Sequence, residues 1–162
     1  MKEQFQRTIG LIGEEALLRL SRARVAVFGI GGVGGHAVEA LVRAGVGALD
    51  LIDNDTVSES NINRQIIALH STVGRAKTEV AAERARDINP DVKITAHNTF
   101  FLPENADAFD FSAYDYVIDA IDTVSAKMEL YRRAAEMISR RPVDECVLCF
   151  LRAGREVHIS FQ

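Results

Sequence analysis

Short apolar runs alternate along the chain with longer segments whose apolar residues recur at helical spacing, which predicts strands and helices in turn. Residues 14–21 (EEALLRLS) read as a short amphipathic helix, and residues 24–28 (RVAVF) as a buried strand running into Gly29. After a sharp turn, residues 33–44 predict a helix that ends at Gly45, where positive φ suits a helix C-terminus. Residues 49–53 (LDLID) predict the second strand. Residues 55–71 form a long polar segment with few periodic apolar positions; such a loop in a compact domain is usually functional or disordered, and here function is the reading. Residues 74–88 predict a helix with Val80, Ala81, Ala85 and Ile88 on one face, closed by Asn89-Pro90, because the residue before proline disfavours the α region. Residues 92–96 and 114–121 (YDYVIDAI) predict strands three and four, and residues 123–137 the helix after them. Alternating strands and helices imply an α/β fold, three layers with a mainly parallel sheet at the centre.

From Arg140 the texture changes: CVLCFL and EVHISF on either side of Ala153-Gly154 predict the two antiparallel strands of a hairpin. Cys146 and Cys149 form a C-x-x-C there, and nothing near it supplies the second pair of ligands that a structural zinc site needs. Two reduced cysteines on a strand are the reading, with half of a dimer-bridging metal site or a redox pair as the alternatives, and no metal is assigned to them.

Composition narrows the class. A chain of 162 residues, 48% hydrophobic and 26% charged, fits one globular domain. No stretch approaches the roughly 18 apolar residues that span a bilayer, and the opening MKEQFQR lacks the apolar segment of a secretory signal, so the expected location is the cytoplasm. A net charge of -4 argues against a uniformly basic nucleic-acid-binding face, while leaving room for a local patch.

The candidate chemistry starts at Gly29-Ile30-Gly31-Gly32-Val33-Gly34-Gly35, between a predicted strand and a predicted helix. Glycines there let the backbone turn tightly and approach a phosphate, which the unpaired N–H groups of the helix N-terminus favour. Gly29, Gly31, Gly32 and Gly34 are therefore candidate nucleotide contacts, with close helix–sheet packing as the alternative role. Asp53 closes the next strand, where an acid accepts hydrogen bonds from ribose hydroxyls in Rossmann-like domains. This pattern alone fits ATP and NAD equally. The segment after Asp53 separates them, since DNDTVSESNINRQ places polar and cationic groups where a redox domain would not need them.

The ordered set GIGGVGG, IDNDTVSESNINRQ, STVGRAK and VIDAIDT resembles the ubiquitin-activating-enzyme-like superfamily, whose members adenylate protein C-termini or small carboxylates. The likeness runs from Phe5 to Met137. Within that superfamily NINRQIIALHSTVGRAK, RDINP, VIDAIDTVSAK and the opening FQRTIGLIGEEALLRL resemble the tRNA threonylcarbamoyladenosine dehydratases more than the sulfur-carrier activators.

The resemblance implies a division into an adenylation domain of the ThiF type over residues 1–137 and an atypical tail over residues 138–162. It implies ATP and Mg2+ as cofactors. Arg64 would hold the outer phosphates, Lys77 those nearer the reacting centre and Asn61 a neutral donor beside them, while Asp122 would coordinate Mg2+. Arg7 would enter the neighbouring subunit's site, which implies a homodimer. These roles suit phosphoryl chemistry, where cations must meet the charge on phosphate oxygens. Arg64, Lys77 and Arg7 also fit plain surface charges, Asp122 also fits a helix N-cap, His36 and His70 read as structural or exposed, and Asp119 as a packing residue.

The implied partner is a tRNA carrying threonylcarbamoyladenosine. A sulfur-carrier or sulfur-transfer protein is the alternative partner, and an NAD-binding redox or sensor module the alternative function. Members of the family continue beyond the last helix with another strand, a glycine-rich crossover and a substrate-handling region, so residues 138–162 are expected to be a truncated or diverged replacement.

Overall fold

Successive side chains of a strand point to opposite faces, and β1 (Arg24–Phe28) buries both. Val25 and Val27 enter one apolar cluster, Ala26 and Phe28 the other. The computed structural model of the chain describes residues 3–143, 145–150 and 155–160. In the first cluster, Leu49 and Leu51 of β2 (Ala48–Ile52) meet Val38 and Val42 of α3 (Gly32–Ala44) and Val80, Ala81 and Ala85 of α4 (Lys77–Ile88). In the second, Ala126 and Leu130 of α5 (Val124–Ser139) pack with Phe28 and with Phe101, Phe109 and Phe111. The Phe28 ring centroid lies 4.8, 5.6 and 5.9 Å from those three rings. Each large side chain so buried contributes about 1.5–3 kcal/mol to the hydrophobic driving force.

Adding β3 (Lys93–His97) and β4 (Tyr116–Asp119) gives a parallel sheet of order β3-β2-β1-β4. Val25 pairs with Leu49 on one side and Tyr116 on the other. With α3 and α4 on one face and α5 on the other, the three-layer Rossmann-like expectation holds. Because β2 and β4 flank β1, the loops leaving β1 and β4 diverge at the carboxyl edge and open a crevice there.

Boundaries differ from the sequence reading for local reasons. Helix α4 begins at Lys77 rather than residue 74, since Gly74 has φ +86° and the segment before the helix pairs with residues 55–57 instead. In that pairing Arg75 O accepts from Val57 N and Asp55 O accepts from Lys77 N. Strand β4 is shorter than residues 114–121; the Tyr114 ring sits 5.3 Å beneath the Arg24 guanidinium, and Asp115 Oδ2 accepts from Arg24 N. Two N-terminal helices precede the sheet, α1 (Gln6–Ile12) and α2 (Glu14–Arg22). The sequence reading has no α1, because its apolar residues form no buried stripe: Leu11 is 85% exposed.

On the face of the sheet that carries the second cluster, the Asp50 carboxylate of β2 is buried. Asp50 accepts from Arg24 Nε at 2.7 Å and Arg24 Nη2 at 2.9 Å, and lies 3.0 Å from His97 Nε2. Burial pushes the Asp50 carboxyl up, but hydrogen bonds and charge from Arg24 and His97 outweigh it and hold it below the usual carboxylate range.

Strands β5 (Glu145–Phe150) and β6 (Arg155–Ser160) pair antiparallel as a separate two-stranded sheet, as the hairpin expectation requires. Cys146 and Cys149 lie on β5 opposite Ile159 and Glu156; the turn expected at Ala153-Gly154 lies outside the described residues. Among the described residues no helix is long and apolar enough to cross a membrane.

Candidate functional site

The glycines of the first loop do different jobs. Gly29 takes φ +92°, and a Cβ there would lie 2.5 Å from Ala120 O, so both conformation and space demand glycine. At Gly34 a Cβ would lie 1.8 Å from Gly29 O and 3.2 Å from Ala120 Cβ. Gly34 therefore lets α3 close on the loop and sits behind the crevice; it does not line the cavity as expected of a ligand contact. At Gly31 and Gly32 an added Cβ would meet only ordinary neighbours, the nearest at 3.8 Å. Nothing within the described protein demands glycine at those two positions. They leave room beside the N-terminus of α3, whose first N–H groups and partial positive charge favour an anion.

That room belongs to a cavity of about 500 Å3 at the carboxyl edge of the sheet, walled by the segments after all four parallel strands. Gly29, Gly31, Gly32, Asp53, Asn61, Arg64, Lys77 and Asp122 all line it. Asp53 fastens the wall together: Oδ2 accepts from Ile30 N at 2.6 Å and Oδ1 from Asp55 N at 2.8 Å. Each carboxylate oxygen keeps a further acceptor site for a ligand hydroxyl.

The polar loop is ordered by short turns. Asn61 closes a 3-10 turn (Glu59–Asn61); its Oδ1 accepts from Ser58 N at 3.1 Å, and its backbone O accepts from Arg64 N and Gln65 N. With Oδ1 engaged, the amide NH2 is what Asn61 can offer a ligand. Arg64 is exposed at the cavity wall, and one guanidinium nitrogen donates to Ser60 O and Asn63 Oδ1. Lys77, at the first turn of α4, is buried, with Nζ 2.7 Å from Asp55 Oδ2. Asp55 itself is largely in water, its side chain 59% exposed.

Asp122 follows β4 and is exposed at the cavity. The N-cap of α5 is Thr123, without a side-chain cap bond, so Asp122 is not serving as that cap. Asp119 faces elsewhere: Oδ2 accepts from Lys127 Nζ at 2.5 Å and Tyr131 OH at 2.7 Å, in keeping with a packing role. Burial raises its carboxyl, but Lys127 and Tyr131 more than offset this and hold it below the usual range. His36 is exposed, its Nδ1 2.6 Å from Gly32 O. Arg7 is exposed on α1 and does not line the cavity.

Three contributors are absent from the sequence reading. Asp55 holds Lys77 in place. Residues Thr99, Phe100 and Phe101 form a wall after β3, where no motif marks them. Gln65 lines the cavity while only 6% exposed, and its Oε1 is buried with no hydrogen-bond partner among the described residues. An unsatisfied buried amide oxygen costs roughly 1–3 kcal/mol. The signal available was its place at the end of the polar segment DNDTVSESNINRQ, next to Arg64.

Comparison with known proteins agrees with this arrangement. The chain is 49% identical over 129 residues to tRNA threonylcarbamoyladenosine dehydratase of Escherichia coli, covering 80% of this chain and 48% of that one. It is 42% identical over 116 residues to the adenylyltransferase and sulfurtransferase UBA4 of Candida glabrata, covering 72% of this chain and 26% of the relative. The structure superposes on the crystal structure of Escherichia coli tRNA N6-threonylcarbamoyladenosine dehydratase, TcdA, in complex with ATP, with a TM-score of 0.80 at 46% identity, over 86% of this chain and 57% of that one. The chain thus spans about half the length of the dehydratase it matches, 48%. The family model for ThiF matches residues 5–142, which takes in every strand and loop of the crevice, and on that match the chain belongs to the ThiF family.

Proposed function

We propose that this chain carries the ATP-binding, carboxylate-adenylating part of an enzyme that dehydrates threonylcarbamoyladenosine in tRNA. The observation that carries the reading is the meeting, in one cavity, of a glycine loop left open at Gly31 and Gly32 with a buried cation, Lys77. A buried ammonium beside backbone N–H groups suits an anion that sheds its water on entering. The likeness to an ATP-bound dehydratase structure at 46% identity supports ATP as that anion.

In this reading the loop N–H groups and Lys77 take phosphate oxygens, Arg64 takes the outer phosphates, Asn61 donates through its NH2, and Asp53 accepts from the ribose. A substrate carboxylate oxygen attacks the α-phosphorus and pyrophosphate leaves; the carbamoyl group then attacks the activated carbonyl, closing a ring and expelling AMP. No enzyme nucleophile is needed. Among the described residues no three His, Cys, Asp or Glu side chains gather to hold a metal ion. Asp122 nevertheless fits Mg2+ as a single carboxylate completed by phosphate oxygens and water, the arrangement this small, hard cation prefers. When bound there, Mg2+ would neutralise phosphate charge.

The rest of the reading follows the family. Residues 1–137 would form the adenylating domain and residues 138–162 a distinct tail. Arg7, exposed on α1, would complete the neighbouring subunit's site in a cytoplasmic homodimer. The test is ATP–pyrophosphate exchange with purified protein, run with threonylcarbamoyladenosine-containing tRNA and, separately, with a sulfur-carrier protein. Exchange dependent on the tRNA is expected. Exchange dependent only on the carrier would replace the tRNA reading with the sulfur-carrier one, and NAD binding without ATP binding would overturn both.

A further inference from the structure

The Gln65 carboxamide oxygen is buried without a hydrogen-bond partner among the described residues. The residue is only 6% exposed, Oε1 is buried and unbonded among the described residues, and it nevertheless lines the cavity. The loop does not need this side chain for its own hydrogen bonding. Gln65 N donates to Asn61 O at 2.9 Å, Gln65 O accepts from Ala68 N at 3.0 Å, and the neighbouring turns are closed by the side chains of Asn61 and Thr72. A site that required only volume would be filled as well by methionine. The other end of the amide lies at the glycine loop: Nε2 is 3.8 Å from the point a Cβ on Gly31 would occupy.

Buried amides without partners are rare in native proteins, and each calls for an explanation. We propose that Gln65 is a further nucleotide ligand, its carboxamide NH2 donating to the phosphate chain where it passes Gly31; this rests on the nucleotide reading above. A triphosphate brings oxygen acceptors for the NH2, the end of the amide that lies at Gly31. The carboxamide adds direction rather than charge, which Lys77 and Arg64 already supply. A carboxylate in its place would repel the same phosphates.

The test compares wild type, Gln65→Met and Gln65→Glu by ATP titration calorimetry and by thermal melting without nucleotide. Gln65→Met should weaken ATP binding about tenfold to a hundredfold, the worth of one hydrogen bond to a charged group. Its melting temperature should stay level or rise, because an orphaned polar atom has been replaced by an apolar one. Gln65→Glu should weaken binding further. Unchanged affinity in Gln65→Met, or a loss of affinity accompanied by a clear fall in melting temperature, would overturn the proposal and return Gln65 to a structural role. Failure of the wild type to bind ATP would overturn the nucleotide reading itself, a result distinct from wild-type binding that the variants leave untouched.

Discussion

Two salt bridges on this sheet are built in opposite senses. In the core the acid is hidden: the Asp50 side chain is 1% exposed and its partner Arg24 41%. At the crevice the cation is hidden: the Lys77 side chain is 6% exposed and its partner Asp55 59%. Burial fixes which member depends on the pair. Asp50 has no access to water, so it needs both Arg24 nitrogens and His97, and the bridge ties β1, β2 and β3 together. Lys77 faces a cavity, and Asp55 loses little by swinging into solvent, so the ammonium can exchange a carboxylate for a phosphate. One bridge serves the sheet, and in the proposed reading the other awaits a ligand.

The largest break in that contrast comes from the glycine that belongs to the fold. Gly34→Ala drives a Cβ into Gly29 O and should cost about 3–5 kcal/mol in urea denaturation, as severe overpacking does. Gly32→Ala, at the start of α3 where an added Cβ meets only ordinary contacts with Arg64, should leave stability within ~1 kcal/mol or raise it, while weakening ATP binding about tenfold. Equal losses of stability in the two variants would erase the distinction between packing and ligand glycines.

Asp50→Ala comes next, at about 2–4 kcal/mol near neutral pH, because it strands Arg24 and His97 and leaves a gap. The cost has a definite pH dependence. The folded-state carboxyl is held below its unfolded value, so the folded chain binds this proton less readily than the unfolded chain. The contribution is therefore complete above the unfolded carboxylate pKa of about 3.9 and is lost as pH falls through the lower folded value. Urea midpoints for wild type and Asp50→Ala should converge below pH ~4 and separate above it. Curves that stay parallel would show that the bridge contributes packing and not charge.

Lys77→Met reverses the pattern. ATP affinity should fall about a hundredfold, some 2.7 kcal/mol, when the buried cation is lost. Stability without nucleotide should move by less than ~1 kcal/mol, since exposed Asp55 returns to water and the methionine retains the apolar stem. If calorimetry shows binding intact while melting drops, Lys77 is a structural residue and the contrast collapses.

How much of this was legible in the sequence depends on the range of the interactions involved. Strand β1 matches its expected limits because RVAVF is apolar enough to be buried on both faces and is bounded by charge and glycine. Helix α3 ends where expected, at Gly45 with φ +96°. Helix α4 starts late because residues 74–76 pair with residues 55–57, a contact between segments that periodicity does not report. At the site, the loop order and the identities of Arg64, Lys77 and Asp122 announce themselves by motif, and the fold gathers them. The packing duty of Gly34 depends on its distance from Gly29 O, and the isolation of Gln65 Oε1 on what fails to approach it. The first has a local signature, the third glycine of G-x-G-x-x-G, where close helix–strand packing is expected; the second is a three-dimensional fact without one.

Asp122 supplies the smallest and most specific test. It is exposed, it caps no helix, and it lies at the end of the strand whose other acid, Asp119, is already occupied by Lys127 and Tyr131. Asp122→Asn keeps the shape and removes the charge, so stability should stay within ~0.5 kcal/mol, as for most surface changes. The consequence should appear only with the metal: ATP binding in the presence of Mg2+ should weaken about tenfold, near 1.4 kcal/mol, while binding in EDTA should hold or tighten slightly because a carboxylate no longer opposes the phosphates. Equal weakening in both conditions would mean that Asp122 shapes the cavity and holds no cation. A difference confined to Mg2+ would make Asp122 the acidic counterpart of Lys77, an ionic side chain at this crevice whose partner arrives with the ligand.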